Sequence, residues 1–280
     1  MTGQSDIKAV IFDIGGVVVG SPLVAINEYE QSRGLPHQYL NVAITAQGKE
    51  GSFQRFERNE LDLLSFYHLF GKELSDTKVN NSHYVTYCRS RKLDVPALPD
   101  KLDVDGRELF GLMMQKSLTV DPLVANAIIS LRASGRFKVA ALTNNFAPPT
   151  ESSLQAQGQT GADKARASPS LEEELEHLGL GSARKNIESM FDFFIQSSVV
   201  GMRKPDPNFY RYTLNLLQVK PSEVVFLDDI GINLKAAQAF GIKTIRVQPT
   251  SSIPALRELE KVTGIRLLPE SSRKSNSSNL

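Results

Sequence analysis

The chain has 280 residues, 41% of them apolar, and a formal net charge of +1. That length suits one large domain or a core domain with a smaller insert. A charge so near zero excludes the basic footprint of a nucleic-acid-binding domain and the surplus of an acidic tail.

Residues 7–12 form a short apolar run that predicts a buried strand. It ends on Asp13, with Gly15 and Gly16 close behind. A carboxylate is costly to bury without a partner, and open α/β sheets bind ligands at the carboxyl ends of their strands. Asp13 therefore marks a site. Residues 21–120 carry apolar positions at helical spacing, as in 23–31, 61–70 and 107–114, and predict a helical insert. Its aromatics Phe53, Phe56, Phe66, Tyr67 and Phe70 read as core. Asp121-Pro122 opens a helix that stops at Gly135, because proline is tolerated in a first turn. Residues 138–142 predict a second strand, which runs into Thr143-Asn144. The stretch 147–170 is rich in Pro, Ser, Gln, Gly and Ala and reads as a mobile loop, with a lid as the functional alternative. An acidic helix follows at 171–178 and a third strand at 191–197. Helical spacing at 207–217 precedes a fourth strand at 223–227, which ends on Asp228-Asp229. A helix at 232–240 stops at Gly241, and 243–247 is a fifth strand.

Strands alternating with helices predict an α/β fold with a doubly wound parallel sheet. The expected organisation is a Rossmann-like core from 1–20 and 121–268, a helical cap at 21–120 inserted after the first strand, a flexible loop at 147–170 and a disordered tail at 269–280. Cys88 is the only cysteine, so no intrachain disulfide is available and a reducing compartment fits. His37, His68, His83 and His177 show no ligand spacing and read as surface or packing residues. No signal-peptide pattern and no apolar run of about 20 residues is present, which favours a cytoplasmic location. Ser278-Asn279-Leu280 comes within one residue of the Ser-Lys-Leu peroxisomal address, the alternative location.

In a parallel sheet Asp13, Thr143-Asn144, Lys204 and Asp228-Asp229 would converge on one edge. Carboxylates with one lysine suit a hard divalent cation and a phosphate, and Mg²⁺ takes one or two carboxylates plus substrate phosphate. A carboxylate can attack phosphorus and form an aspartyl-phosphate. Metal and lysine would offset the repulsion between that anion and its substrate, while Thr143 and Asn144 donate to phosphoryl oxygens.

These stretches resemble the four motifs of the haloacid dehalogenase-like hydrolases, in the same order. The matching passages are Asp13-Ile-Gly15, Leu142-Thr-Asn144, Val200-Gly-Met-Arg-Lys204-Pro-Asp-Pro207 and Ser222-Glu-Val-Val-Phe-Leu-Asp228-Asp229-Ile-Gly-Ile-Asn233-Leu234. Lys261-Val-Thr-Gly-Ile265 also looks alike. Within that superfamily the chain is most similar to the N-terminal phosphatase domain of soluble epoxide hydrolase and its stand-alone relatives. The resemblance implies Asp13 as nucleophile and catalytic Lys204 steadying both nucleophile and phosphate. It implies Mg²⁺ at Asp13, the Gly15 carbonyl and Asp229, with Asp228 beside them. Thr143, Asn144 and Lys204 would bind substrate, and the cap would select the leaving group. No Gly-x-Ser-x-Gly elbow occurs in these residues, so epoxide opening is not expected of them.

One departure matters. The family's first motif is Asp-x-Asp, and its second Asp is the general acid. Here that position is Gly15, which keeps a carbonyl for the metal but has no proton to give. General acid–base help is worth about 10²–10⁴-fold. A good leaving group such as an acyl or anomeric phosphate would compensate, as would Glu28, Glu57 or water. The expected function is a Mg²⁺-dependent phosphatase of a small phosphorylated metabolite. A catalytically impaired phosphate-ligand binder and a metal-free 2-haloacid dehalogenase are the competing readings. The expected partners are that small-molecule substrate and a second copy in a homodimer, with neither nucleic acid nor membrane.

Overall fold

The computed structural model describes residues 7–155, 169–180 and 187–270. β1 (Ala9–Phe12) is followed by α1 (Pro22–Ser32), α2 (Tyr39–Ala46), α3 (Ser52–Glu57), α4 (Leu63–Ser75), α5 (Thr77–Arg91) and α6 (Gly106–Lys116). Then come α7 (Pro122–Ala133), β2 (Lys138–Thr143), α8 (Glu151–Gln155) and α9 (Leu171–His177). The chain continues through β3 (Phe193–Gln196), α10 (Ser197–Val200), α11 (Pro207–Leu217), β4 (Val224–Asp228), α12 (Gly231–Ala239), β5 (Lys243–Arg246) and α13 (Ile253–Thr263).

Two compact units result. The sheet unit is Met1–Gly20, Thr119–Asn144 and Ser182–Leu280, and the helical unit is Ser21–Leu118 with Asn145–Gly181. In the sheet unit five parallel strands take the order β3-β2-β1-β4-β5. Side chains alternate across a strand, so each strand feeds two cores. Val10, Phe12, Val139, Ala141, Val225 and Leu227 pack with α7 and α13. Ala9, Ile11, Ala140, Leu142, Val224 and Phe226 pack with α11 and α12. Near-continuous apolar runs are what strands buried on both faces require. The two ends of the first long excursion are tied together inside this unit. Gly20 N–H donates to the Thr119 carbonyl at 3.0 Å and Asp121 N–H to the Val18 carbonyl at 2.9 Å, around a Val19–Val120 bridge.

The helical unit has its own core. Phe56 stacks on Phe66 with centroids 4.1 Å apart, and Phe70, Phe110 and Phe146 join the same cluster. The stretch expected to be a loop at 147–170 contributes structure here, since α8 lies within it and Leu154 is part of this core. Residues 156–168 lie outside the described residues, as do 271–280 with the Ser278-Asn279-Leu280 address. α9 opens on a capping box, in which Ser170 and Glu173 each bond the other's backbone N–H. It is anchored by Glu174, which is fully buried. Tyr67 Oη donates to Glu174 Oε1 at 2.5 Å, and Arg107 Nε and Nη2 donate to Oε2 at 3.1 and 3.0 Å. This is why a polar-looking segment belongs to a packed unit. Glu174→Ala would strand the Tyr67 hydroxyl in the core. A loss of about 1–3 kcal/mol in urea unfolding is expected, and an unchanged midpoint would show that water replaces the carboxylate. Among the described residues no helix is long and apolar enough to cross a membrane.

Candidate active site

β1 and β4 are neighbours at the point where the strand order reverses, which is where open parallel sheets form a crevice. Phe12 pairs with Leu227, and Asp13 N–H donates to the Leu227 carbonyl at 2.8 Å. One step further on, Asp13 and Asp228 leave the sheet side by side. Asp229 completes the group, and the three residues each offer an oxygen within 4.8 Å of the others. All three are buried.

The turn after Asp13 explains its glycines. Ile14 N–H donates to Asp13 Oδ1 at 2.6 Å, and the Val17, Val18 and Val19 N–H groups converge on the Ile14 carbonyl. Gly16 adopts φ +77°, and a Cβ there would run into the Asp229 carboxylate. Glycine is thus needed both for the backbone conformation and for the close approach. Gly16→Ala is expected to cost about 1–3 kcal/mol of stability in urea unfolding. A parent-like midpoint would mean that Asp229 moves aside freely.

Lys204 joins the group from the loop before α11. Only 1% of it is exposed, and its Nζ lies 2.8 Å from Asp13 Oδ2 and 2.9 Å from Asp228 Oδ2. The ammonium also sits 5.4 Å from the Phe226 ring centroid. A buried lysine needs such pairing, because desolvating a lone charge is prohibitive. Asn144, just past β2, clasps the Lys204 backbone. Lys204 N–H donates to Asn144 Oδ1 at 2.8 Å, and Asn144 Nδ2 donates to the Lys204 carbonyl at 3.0 Å. The side chain expected to donate to phosphate holds the lysine loop with its oxygen and one of the two N–H groups of its amide. Thr143, at the end of β2, is buried, with its hydroxyl 3.3 Å from the Asn144 carbonyl.

Asp228 is saturated by protein donors. Oδ1 accepts from Ile230 N–H at 2.7 Å, Oδ2 accepts from Lys204, and Asn233 Nδ2 lies 3.2 and 3.1 Å from the two oxygens. Tyr210 Oη in turn donates to the Asn233 carbonyl at 2.9 Å. Sequence reasoning assigns no role to Asn233 or Tyr210. The available signals are that Asn233 lies within the fourth matched passage and falls in the first turn of the helix that follows Asp228. The structure therefore brings Asp13, Lys204, Asp228 and Asp229 together, with Gly15, Thr143 and Asn144 in the adjoining turns. Glu28 and Glu57, the two substitute acids, belong to the helical unit, where Glu28 pairs with Lys116 at 2.8 Å and Glu57 is buried.

The electrostatics reflect this crowding. Burial pushes the Asp13 carboxyl well above the usual carboxylate range, and the charges of Asp228 and Asp229 add to the rise against the pull of Lys204. Burial alone would lower the Lys204 ammonium, but Asp13 and Asp228 outweigh it and hold it above the ordinary lysine value. The lysine stays charged, and Asp13 sits in a cluster short of positive charge.

The haloacid dehalogenase-like hydrolase family matches residues 7–241, which includes every residue of this cluster. The chain is a haloacid dehalogenase-like hydrolase. It is 31% identical over 264 residues to the bifunctional epoxide hydrolase 2 of Sus scrofa, covering 94% of this chain and 40% of that protein. The chain thus spans well under half the length of that relative. A sesquiterpene phosphatase of Aspergillus oryzae is 36% identical over 75 residues, covering 27% of this chain and 37% of its own length. Among solved structures, a predicted HAD-like family hydrolase from Porphyromonas gingivalis superposes with a TM-score of 0.51 at 17% identity, covering 91% of this chain and 98% of that one. That likeness shows the fold.

The donor set of this hydrolase fits a hard dication. It consists of carboxylate oxygens on a buried edge, one of them protonated unusually easily, beside a glycine turn that brings the backbone against Asp229.

Proposed function

We propose that this hydrolase is a Mg²⁺-dependent phosphatase acting on a small phosphorylated metabolite, with Asp13 as nucleophile. The observation that carries the reading is the buried ammonium of Lys204 bridging Asp13 and Asp228, with the third carboxylate, Asp229, beside them. A site built for a neutral substrate has no use for a buried lysine and three carboxylates. Asp13, Asp229 and the Gly15 carbonyl would hold the magnesium. Asp228, whose oxygens are taken by Ile230, Asn233 and Lys204, serves mainly to aim the lysine. When bound, the magnesium supplies positive charge against the phosphoryl oxygens.

The chain's own groups then divide the work. Ile14 N–H and Lys204 fix the two Asp13 oxygens, so that one is presented to phosphorus. The carboxylate attacks, the ester P–O bond breaks and the leaving oxygen departs with the bond pair. Lys204 offsets charge on the phosphoryl group, and the backbone turn at Thr143–Asn144 lines it. Water then attacks phosphorus of the aspartyl-phosphate, releasing phosphate and regenerating Asp13. The step with least protein support is protonation of the leaving oxygen, because Gly15 replaces an acid.

Leaving-group chemistry tests this directly. Turnover should be lost in EDTA and return with Mg²⁺. It should rise steeply from alkyl phosphates to p-nitrophenyl phosphate, acetyl phosphate and sugar 1-phosphates, over a range of about 10²–10⁴, the usual worth of a general acid. A flat dependence on leaving-group pKa would mean that another group supplies the proton. Activity that survives EDTA and releases halide from a 2-haloacid would replace this reading with dehalogenation.

A further inference from the structure

We infer that Asn233 is a positioning residue, whose amide locks the Asp228 carboxylate so that Lys204 is aimed at Asp13. The inference rests on the phosphatase reading for its kinetic consequence and on geometry alone for its structural one.

Asp228 has two oxygens and needs both in register. Lys204 Nζ takes Oδ2 at 2.9 Å and must also reach Asp13 Oδ2 at 2.8 Å. A rotation of the Asp228 carboxylate about its Cβ–Cγ bond would break that bridge. Two groups oppose the rotation. Ile230 N–H holds Oδ1 at 2.7 Å, and Asn233 Nδ2 straddles both oxygens at 3.2 and 3.1 Å. The backbone bond fixes one oxygen only, whereas the amide nitrogen, equidistant from both, fixes the plane. Asn233 is itself immobilised. It lies in the first turn of α12 and is 3% exposed, its N–H donates to the Ile230 carbonyl at 3.0 Å, and its own carbonyl accepts from Tyr210 Oη at 2.9 Å. Tyr210 packs edge-on against Phe226, the ring beside the Lys204 ammonium. Helices α11 and α12 are thereby coupled to the reacting carboxylate through one amide.

A neutral donor is the right chemistry for this place. An aspartate at 233 would set a fourth carboxylate against Asp228, and a lysine would compete with Lys204 for its charge. An amide orients the carboxylate without adding to either account of charge.

The test uses Asn233→Leu, branched at Cγ as asparagine is but bulkier and without donors, and Asn233→Ser as a smaller variant should leucine impair folding. With Mg²⁺ and p-nitrophenyl phosphate, kcat should fall about 10–100-fold with KM within about threefold, since a misplacement of about 1 Å costs on that scale. Placed on Asp228→Ala, which removes the lysine's acceptor on β4, Asn233→Leu should cost less than about twofold further. Additive losses would overturn the inference, because a merely structural residue lowers both backgrounds alike. A second readout needs no turnover. The Lys204 ammonium should give a resolved ¹H–¹⁵N signal, assigned by its loss in Lys204→Met, that broadens or disappears in Asn233→Leu. If no phosphate ester is hydrolysed but this signal responds, the phosphatase reading fails and the positioning role stands. An unchanged signal in a folded Asn233→Leu protein overturns the positioning role whatever the activity.

Discussion

Asp13→Asn is expected to abolish phosphate release, by more than about 10³-fold, and at the same time to stabilise the metal-free protein at neutral pH. The second effect follows from the site's electrostatics. Burial and the neighbouring carboxylates raise the Asp13 pKa well above its ordinary value in the folded state. At pH values between the unfolded and the raised folded pKa, the folded protein therefore holds a proton that the unfolded chain has released. The stability Asp13 contributes is complete below the ordinary carboxylate pKa and is lost as pH rises through the raised folded value. Asparagine keeps the shape and has no proton to lose. Thermal unfolding without metal should show the variant above the parent at pH 8, by about 2–4 °C for each kcal/mol recovered, with the two converging near pH 4. A lower melting temperature at pH 8 would mean that the Lys204 pairing outweighs burial. Retained turnover would place the nucleophile elsewhere.

Lys204→Met should also cut turnover sharply but move stability the other way. It leaves Asp13 and Asp228 facing each other without the ammonium that lies 2.8 and 2.9 Å from them. Removing one partner of a buried ionic group typically costs about 3–5 kcal/mol, and the loss of a preorganised positive charge costs about 10²–10³ in kcat. Urea unfolding of the sheet unit at pH 7.5 should show the deficit, and mild acid should reduce it by protonating the stranded carboxylates. A variant of unchanged stability would mean that the carboxylates share a proton or admit water. The opposite signs of the two variants separate loss of a reacting group from loss of the charge that keeps it buried.

The elements that carry chemistry were legible because each announces itself locally. Asp13 and Asp228 follow apolar runs, and the strands found end within a residue or two of the expected positions. Family resemblance added the roles, which spacing alone does not contain. What stayed unreadable depends on partners remote in the chain. That Asn144 also clasps the backbone of Lys204, 60 residues later, is invisible in the sequence. Glu174 looks like one more exposed acid in Leu171-Glu-Glu-Glu-Leu until Tyr67 and Arg107, 107 and 67 residues away, enclose it. Asn233 carries no composition signal at all, because an asparagine in a first helical turn ordinarily serves its own helix. Polar residues in low-complexity surroundings are the ones whose burial depends wholly on tertiary placement.

The Gly20–Thr119 and Val18–Asp121 hydrogen bonds have a thermodynamic meaning beyond local structure. They hold the two ends of Ser21–Leu118 at contact distance inside the sheet unit. For the sheet unit this long excursion is then a closed ring whose circumference hardly matters, since doubling a loop costs only about 0.6 kcal/mol. The β1–β4 register that sets Asp13 beside Asp228 is made wholly by strands outside that ring. A change in the ring's length is therefore expected to reach the sheet only as a small entropic cost, and not as a shift of its carboxylates.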